Sequence, residues 1–240
     1  MKTKEFEIAY SENKTNIKTF PVVVVAAGLS SRMNGINKQF AKIGGIPVIA
    51  RTLMVFESNP NISKIVVVAH KDNILKLQNI CQEYSITKLS DIVVGGENRQ
   101  QSVTNGLNCL KGESKVLIHD GARPLVSQEI INNVCNELSV ADGVVCAVPV
   151  KDTIKSVNNN CVKTTLNREE LVLAQTPQGV NIDLYFNGLK NNKIFTDDVS
   201  VLEEQNIAVK IVKGSYKNIK ITTPEDIILA ELLIENTEEK

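Results

Sequence analysis

Apolar, β-branched runs alternate along this chain with segments of helical period. Four consecutive valines within Val22–Ala27 suit a strand buried on both faces, as in a parallel sheet. Similar runs at Lys64–Ala69, Ile92–Gly95, Val116–His119 and Val144–Val150 predict further strands. Between the first two, Pro47 fits a first helical position, and Ile49, Leu53 and Phe56 fall on one helical face. Residues 72–84, 99–110 and 127–139 carry the same periodicity. The rhythm predicts an α/β fold with a mostly parallel sheet flanked by helices, Rossmann-like in layout. Ligands of such sheets sit beyond the carboxyl ends of the strands. The loops after Ala27, Gly95, His119 and Val150 therefore converge on one crevice.

The rhythm breaks after Val150. Lys151–Val157 and Cys161–Leu166 flank Asn158-Asn159-Asn160, residues that accept tight-turn backbone angles, so an extended hairpin is expected here. A lone two-stranded hairpin is marginal in water, so this arm, residues 150–178, is expected to pack on a partner. Thr196 is expected to cap a helix with Asp197 and Asp198 in its first turn, and Thr223-Pro224 to open the last helix before an acidic tail. The first 20 residues are polar and mixed in charge and read as a poorly ordered extension. They lack the apolar stretch of a secretory signal, and Glu5, Glu7 and Glu12 count against an organellar transit peptide. Residues 21–236 then form one domain with an arm.

Composition narrows the class. The 240 residues are 42% hydrophobic, enough for a substantial core, and 27 Lys plus Arg balance 27 Asp plus Glu. That balance argues against broad nucleic-acid binding while leaving room for a local basic pocket. No apolar run is long enough to span a bilayer. Five cysteines, Cys81, Cys109, Cys135, Cys146 and Cys161, include no CxxC pair. They read as thiols of a reducing compartment, the cytoplasm, rather than a disulfide framework or zinc site.

Candidate chemistry clusters at the predicted strand ends. After the valines come Gly28, the small Ser30 and Ser31, and two cations, Arg32 and Lys38. A glycine turn brings backbone N–H groups close to a bound group, and donors plus cations suit a triphosphate. The turn matches neither the Walker sequence nor GxGxxG, and two solvated loop cations are the plain alternative. His119-Asp120-Gly121-Ala122-Arg123-Pro124 puts a carboxylate at a strand end, where it can hold Mg²⁺ beside phosphates or simply pair with Arg123. His119 reads as a turn-shaping histidine rather than a base. Gly95-Gly96-Glu97 with Ser102 could line a slot whose backbone groups read a cytosine edge, or could be an ordinary helix start. Arg168 and Lys220 are candidates for gripping a second phosphate.

Together the segments AAGLSSRM with NKQ, GGENRQQSV, HDGARP, PVKDTIK, NREELVLAQTPQ, TDD and NIKITTPED, spread from about Pro21 to the last helix, resemble the 2-C-methyl-D-erythritol 4-phosphate cytidylyltransferases of the non-mevalonate isoprenoid pathway. The resemblance implies transfer of a cytidylyl group from CTP to methylerythritol phosphate, dependence on Mg²⁺ or another divalent cation, and a homodimer formed through the hairpin arm. By motif match, Ala26, Ala27 and Gly28 belong to the nucleotide-binding turn, and Arg32 and Lys38 are its triphosphate-binding cations. Gly95, Gly96, Glu97 and Ser102 form the cytosine-reading loop. Asp120 is the metal carboxylate and contacts the nucleotide, with Arg123 its neighbour in the substrate pocket. Arg168 and Lys220 position the methylerythritol phosphate, and Thr153 reaches the partner subunit's site. Ser30 and Asn37 stand where this family often has glycine and proline. A ribitol 5-phosphate cytidylyltransferase shares the logic, and a non-catalytic nucleotide-binding regulator is the alternative of another class.

Overall fold

The computed structural model describes residues 18–28, 37–191 and 193–238. The expected N-terminal extension lies outside the described residues up to residue 17. Its last expected member, Phe20, instead opens the first strand and is buried. In chain order the strands and helices are β1 (Phe20–Ala26), β2 (Lys42–Ile43), β3 (Ile46–Pro47), α1 (Val48–Glu57), β4 (Ile62–Ala69), α2 (Ile74–Glu83), β5 (Leu89–Val94), α3 (Arg99–Leu107) and β6 (Lys115–Asp120). They continue with α4 (Gln128–Leu138), β7 (Gly143–Pro149), β8 (Lys155–Asn158), β9 (Cys161–Thr165), β10 (Val172–Asn181), α5 (Ile182–Gly188), α6 (Ser200–Glu203), β11 (Val209–Lys213) and α7 (Pro224–Glu238). Seven strands form one sheet in the order β11-β7-β10-β6-β1-β4-β5. Only β10 runs against its neighbours β6 and β7, so the sheet is mostly parallel, as expected.

Alternation along β1 divides the core. Val22 and Val24 face the side covered by α1, α2 and α4, while Val23 faces the side covered by α3, α5 and α6. Burial of both faces is what the unbroken valine run demands. A smaller cluster of Ile43, Val48, Ala122, Ile221 and Ala230 joins the β2–β3 hairpin and α7 to the turn after β6. Gly44 and Gly45, at φ +54° and +77°, make the tight β2–β3 turn that a Cβ would strain.

Four sequence expectations change. Pro47 sits just before α1 rather than inside it, with Val48 the first helical residue. The helix expected from Thr196 begins only at Ser200, whose N–H donates to Asp197 Oδ1 at 3.2 Å. Asp198 is buried there instead of decorating a first turn. The sheet also contains β10 and β11, which the apolar pattern does not announce. Gln175-Thr176-Pro177-Gln178 is polar and turn-like in sequence, and the β10–β7 register is irregular between Ala174 and Gln178. The arm does form: β8 and β9 pair antiparallel about Asn159 and Asn160, both at positive φ.

Helix α3 matters most for what lies at the strand ends. Its Gly106 lies directly against β1 and β4, where an added Cβ would stand 2.6 Å from Val23 Cγ1 and 2.8 Å from Val68 Cγ2. This close approach sets the height of the Arg99 end of the helix over the sheet. Gly106→Ala gains about 1 kcal/mol of helix propensity but overpacks a stiff valine surface, at roughly 1–3 kcal/mol. The expected outcome is a lower thermal midpoint by calorimetry; an unchanged or raised midpoint would show that α3 can lift from the sheet freely.

Candidate active site

Beyond the carboxyl ends of β1, β4, β5 and β6 lies a cavity of about 470 Å³, whose wall includes Ala27, Gly28, Lys38, Gly96, Glu97, Ser102, Asp120 and Lys220. Eight residues singled out from sequence thus meet in one place, as the strand-end rule requires. Ala26 is the last residue of β1 and is buried beneath them. Gly95 abuts the same floor: a Cβ there would collide with Ala27 Cβ. Arg32 lies outside the described residues. Thr153 and Arg168 are exposed on the arm and do not line this cavity; Arg168 Nη1 donates to the Lys151 carbonyl at 3.2 Å.

The glycine loop owes its shape to one serine. Ser102 Oγ accepts from the Gly96 N–H at 3.0 Å and donates to the Asn98 carbonyl at 2.9 Å. Glu97 N–H donates to Gln101 Oε1, and Asn98 caps α3 by accepting from the Gln101 N–H. Ser102 therefore acts by folding the slot around Gly95 and Gly96, its hydroxyl already engaged within the loop.

Asp120 ends β6 with 7% of its surface exposed. Its Oδ2 lies 2.8 Å from Lys220 Nζ and 3.6 Å from Arg123 Nε, and its Oδ1 accepts from Arg99 Nε at 3.2 Å. Burial alone would raise this carboxyl; Arg99, then Lys220 and Arg123, overcome it and hold the group well below the usual carboxylate range. Arg99 in turn donates through both Nη atoms to Asp198, at 2.8 and 2.7 Å. Burial opposes the Arg99 charge, but Asp198 and Asp120 hold its pKa above the ordinary value. Burial raises the Asp198 carboxyl, against the pull of Arg99. Gln178 fixes the Asp198 segment: its Oε1 accepts from the N–H groups of Asp198 and Val199, and its Nε2 donates to Asp197.

Sequence reading missed Arg99 and Asp198 as site residues. One signal was present: an arginine at the first position of a helix faces the positive end of the dipole and needs acidic partners. His119 is fully buried, edge-on to Phe56, and burial pushes its pKa down to about 3, so it is neutral and no general base at the cavity wall. No group of three or more His, Cys, Asp or Glu among the described residues could form a metal cage. Mg²⁺ takes one or two carboxylates and completes its shell with phosphates and water, and the cavity wall offers two, Glu97 and Asp120, the latter's oxygens here shared with Arg99, Arg123 and Lys220.

Comparison with known proteins gives the same direction. The family model described as IspD, 2-C-methyl-D-erythritol 4-phosphate cytidylyltransferase, matches residues 20–236. The cytidylyltransferase of that name from Clostridium novyi is 45% identical over 221 residues, covering 89% of this chain and 96% of the relative. That from Halalkalibacterium halodurans is 41% identical over 226 residues, covering 92% and 99%. The crystal structure of 4-diphosphocytidyl-2C-methyl-D-erythritol synthase from Anaerococcus prevotii superposes with a TM-score of 0.82 at 31% identity, over 91% of this chain and 97% of that one. With the family model matching residues 20–236 and a relative 45% identical over 89% of its length, this chain belongs to the 2-C-methyl-D-erythritol 4-phosphate cytidylyltransferase family.

Proposed function

We propose that the protein transfers the cytidylyl group of CTP to 2-C-methyl-D-erythritol 4-phosphate, giving 4-diphosphocytidyl-2-C-methyl-D-erythritol and pyrophosphate. The observation that carries the reading is Asp120 at the end of β6, ringed by three cations and facing a glycine-lined slot. The substrates are the ones the relatives' names specify. The attacking phosphate oxygen is already anionic at neutral pH, so no strong base is required. The difficulty is electrostatic, because two polyanions must meet while charge builds on the α-phosphoryl oxygens and the leaving pyrophosphate. Positioning and cationic stabilisation supply such catalysis.

In this reading Gly28 and the Gly95–Gly96 slot admit the nucleotide, with Ala26 and Ala27 leaving room beneath it. Glu97 and the slot's backbone groups face the cytosine. Lys38, with Arg32 before it, neutralises the triphosphate. Asp120 would hold a divalent cation, which when bound screens phosphate charge and polarises phosphoryl oxygens. Lys220, with Arg168, would position the sugar phosphate, and Arg123 would stand beside it in the substrate pocket.

Thr153 and Arg168 complete the site from a second copy of the chain. Val157, Val162, Leu166, Val172 and Leu173 all leave apolar surface exposed on the arm, which supports a homodimer formed through it. Five unpaired thiols support a cytoplasmic setting. No helix among the described residues is long and apolar enough to cross a membrane.

Pyrophosphate release with Mg²⁺ and CTP is expected with methylerythritol 4-phosphate and not with ribitol 5-phosphate; preference for ribitol phosphate would keep the chemistry and reassign the substrate. Lys38→Ala is expected to lower turnover about 10²–10³-fold with little change in thermal midpoint, and full activity would remove Lys38 from the mechanism. Mixing inactive Thr153→Ala/Arg168→Ala subunits with inactive Arg32→Ala/Lys38→Ala subunits is expected to restore part of the activity. Recovery no greater than in the unmixed controls would argue against a shared site.

A further inference from the structure

We propose that Thr176, His119 and Asn218 close a buried hydrogen-bond ring with Arg123, and that this ring positions Asp120, Arg123 and Lys220 for cytidylyl transfer. The positioning claim rests on the activity proposed above; the ring itself rests on geometry alone. None of the three side chains lines the cavity, and they are 4%, 0% and 0% exposed.

The ring can be followed atom by atom. Thr176 Oγ1 accepts from the Asp120 N–H at 3.0 Å and lies 3.1 Å from His119 Nδ1. His119 Nε2 lies 3.2 Å from the Arg123 carbonyl. Arg123 Nη1 donates to the Asn218 carbonyl at 2.8 Å, and Asn218 Nδ2 donates to the Thr176 carbonyl at 2.9 Å, closing the circuit. The donor roles are forced. A carbonyl only accepts, so Nε2 carries the imidazole proton, Nδ1 is the acceptor, and the Thr176 hydroxyl donates to it. The hydroxyl is thereby used twice, once as acceptor from Asp120 and once as donor to His119.

Strand register explains why a threonine stands there. β10 pairs with β6 through Gln178↔Ile118 and Gly179↔Leu117, so two residues further along each strand Thr176 falls opposite Asp120. The backbone ladder stops short of that pair, and the threonine hydroxyl takes the place of the missing carbonyl. Asn218 comes from the segment leading to Lys220, and the Ile221 N–H donates to the Ala122 carbonyl at 2.8 Å. Three separate segments are thus locked together: the end of β6 with its turn carries Asp120 and Arg123, the segment before α7 carries Lys220, and β10 ties them through Thr176. Apolar residues could fill the same interior without three polar side chains to satisfy. What the ring adds is orientation: its four bonds tie Thr176, His119, Arg123 and Asn218 to one another, although Asn218 Oδ1 and Arg123 Nε find no hydrogen-bond partner of their own.

The test uses Thr176→Val, which keeps the shape and removes the hydroxyl, Thr176→Ser, which keeps the hydroxyl, and His119→Gln, which keeps a donor toward Arg123 but loses the Nδ1 acceptor. Steady-state kinetics for both substrates are read beside CTP binding and thermal midpoint. Thr176→Val is expected to lose on the order of 10- to 100-fold in kcat, with KM for CTP near wild type and the chain still folded. Thr176→Ser should retain most of the kcat. Thr176→Val/His119→Gln should be no worse than the more impaired single variant, because a ring opened once is already open. Should Thr176→Val not fold, Thr176→Ser and His119→Gln carry the kinetic comparison. Nitrogen NMR of the wild type should show His119 protonated at Nε2 and bare at Nδ1. Wild-type kcat in Thr176→Val, equal impairment of Thr176→Ser, strictly multiplicative losses or a proton on Nδ1 would each overturn the proposal. Wild-type silence with CTP and either sugar phosphate would instead overturn the activity and the positioning claim with it, while the nitrogen signature still reports on the ring.

Discussion

A buried carboxylate must be neutralised or it will not stay buried and charged, and Asp120 organises this protein around that demand. Arg99 comes from the start of α3, Arg123 from the turn after β6, and Lys220 from the segment that leads into α7. Each of these segments is itself held by something local. Gly106 seats α3 on the sheet, and the cluster of Ala122, Ile221 and Ala230 seats the other two. The sheet supplies the place and the packing supplies the approach, but the charge at the end of β6 decides which side chains must converge.

Legibility followed the physics of each signal. β1, β4, β6 and β7 were visible because strands buried on both faces write unbroken β-branched runs. The strand-end rule then brought together the loops that carry Gly28, Lys38, Gly96 and Asp120, while the loop after Val150 runs into the arm instead and Lys220 was reached only through its motif. β10 was hidden because a polar Gln-Thr-Pro-Gln stretch crosses the sheet exactly where its side chains take over from the backbone ladder. Asp198 was misassigned to a helix turn because sequence shows an acid beside a capping threonine. It does not show that Arg99, 99 positions earlier, needs a buried partner. Long-range pairing between charges leaves no periodic trace, and that is the part of the site the pattern could not deliver.

The two kinds of cation here have different work, and their chemistry says which is which. Arg99 spends its planar fork on two carboxylates at once, the bidentate geometry that guanidinium favours. It is thereby committed to holding Asp120 and the Asp198 segment in register. Lys38 and Lys220 are compact charges on flexible stems at the cavity wall. A phosphate that slides through a reaction coordinate is better followed by a lysine than by an arginine fixed in two directions. Lys220 Nζ rests 2.8 Å from Asp120 Oδ2, so the carboxylate that Arg99 holds in register also fixes where that lysine's charge starts from. Preorganised charge of this kind is what phosphoryl transfer asks of a protein, since there is little covalent chemistry left for it to perform.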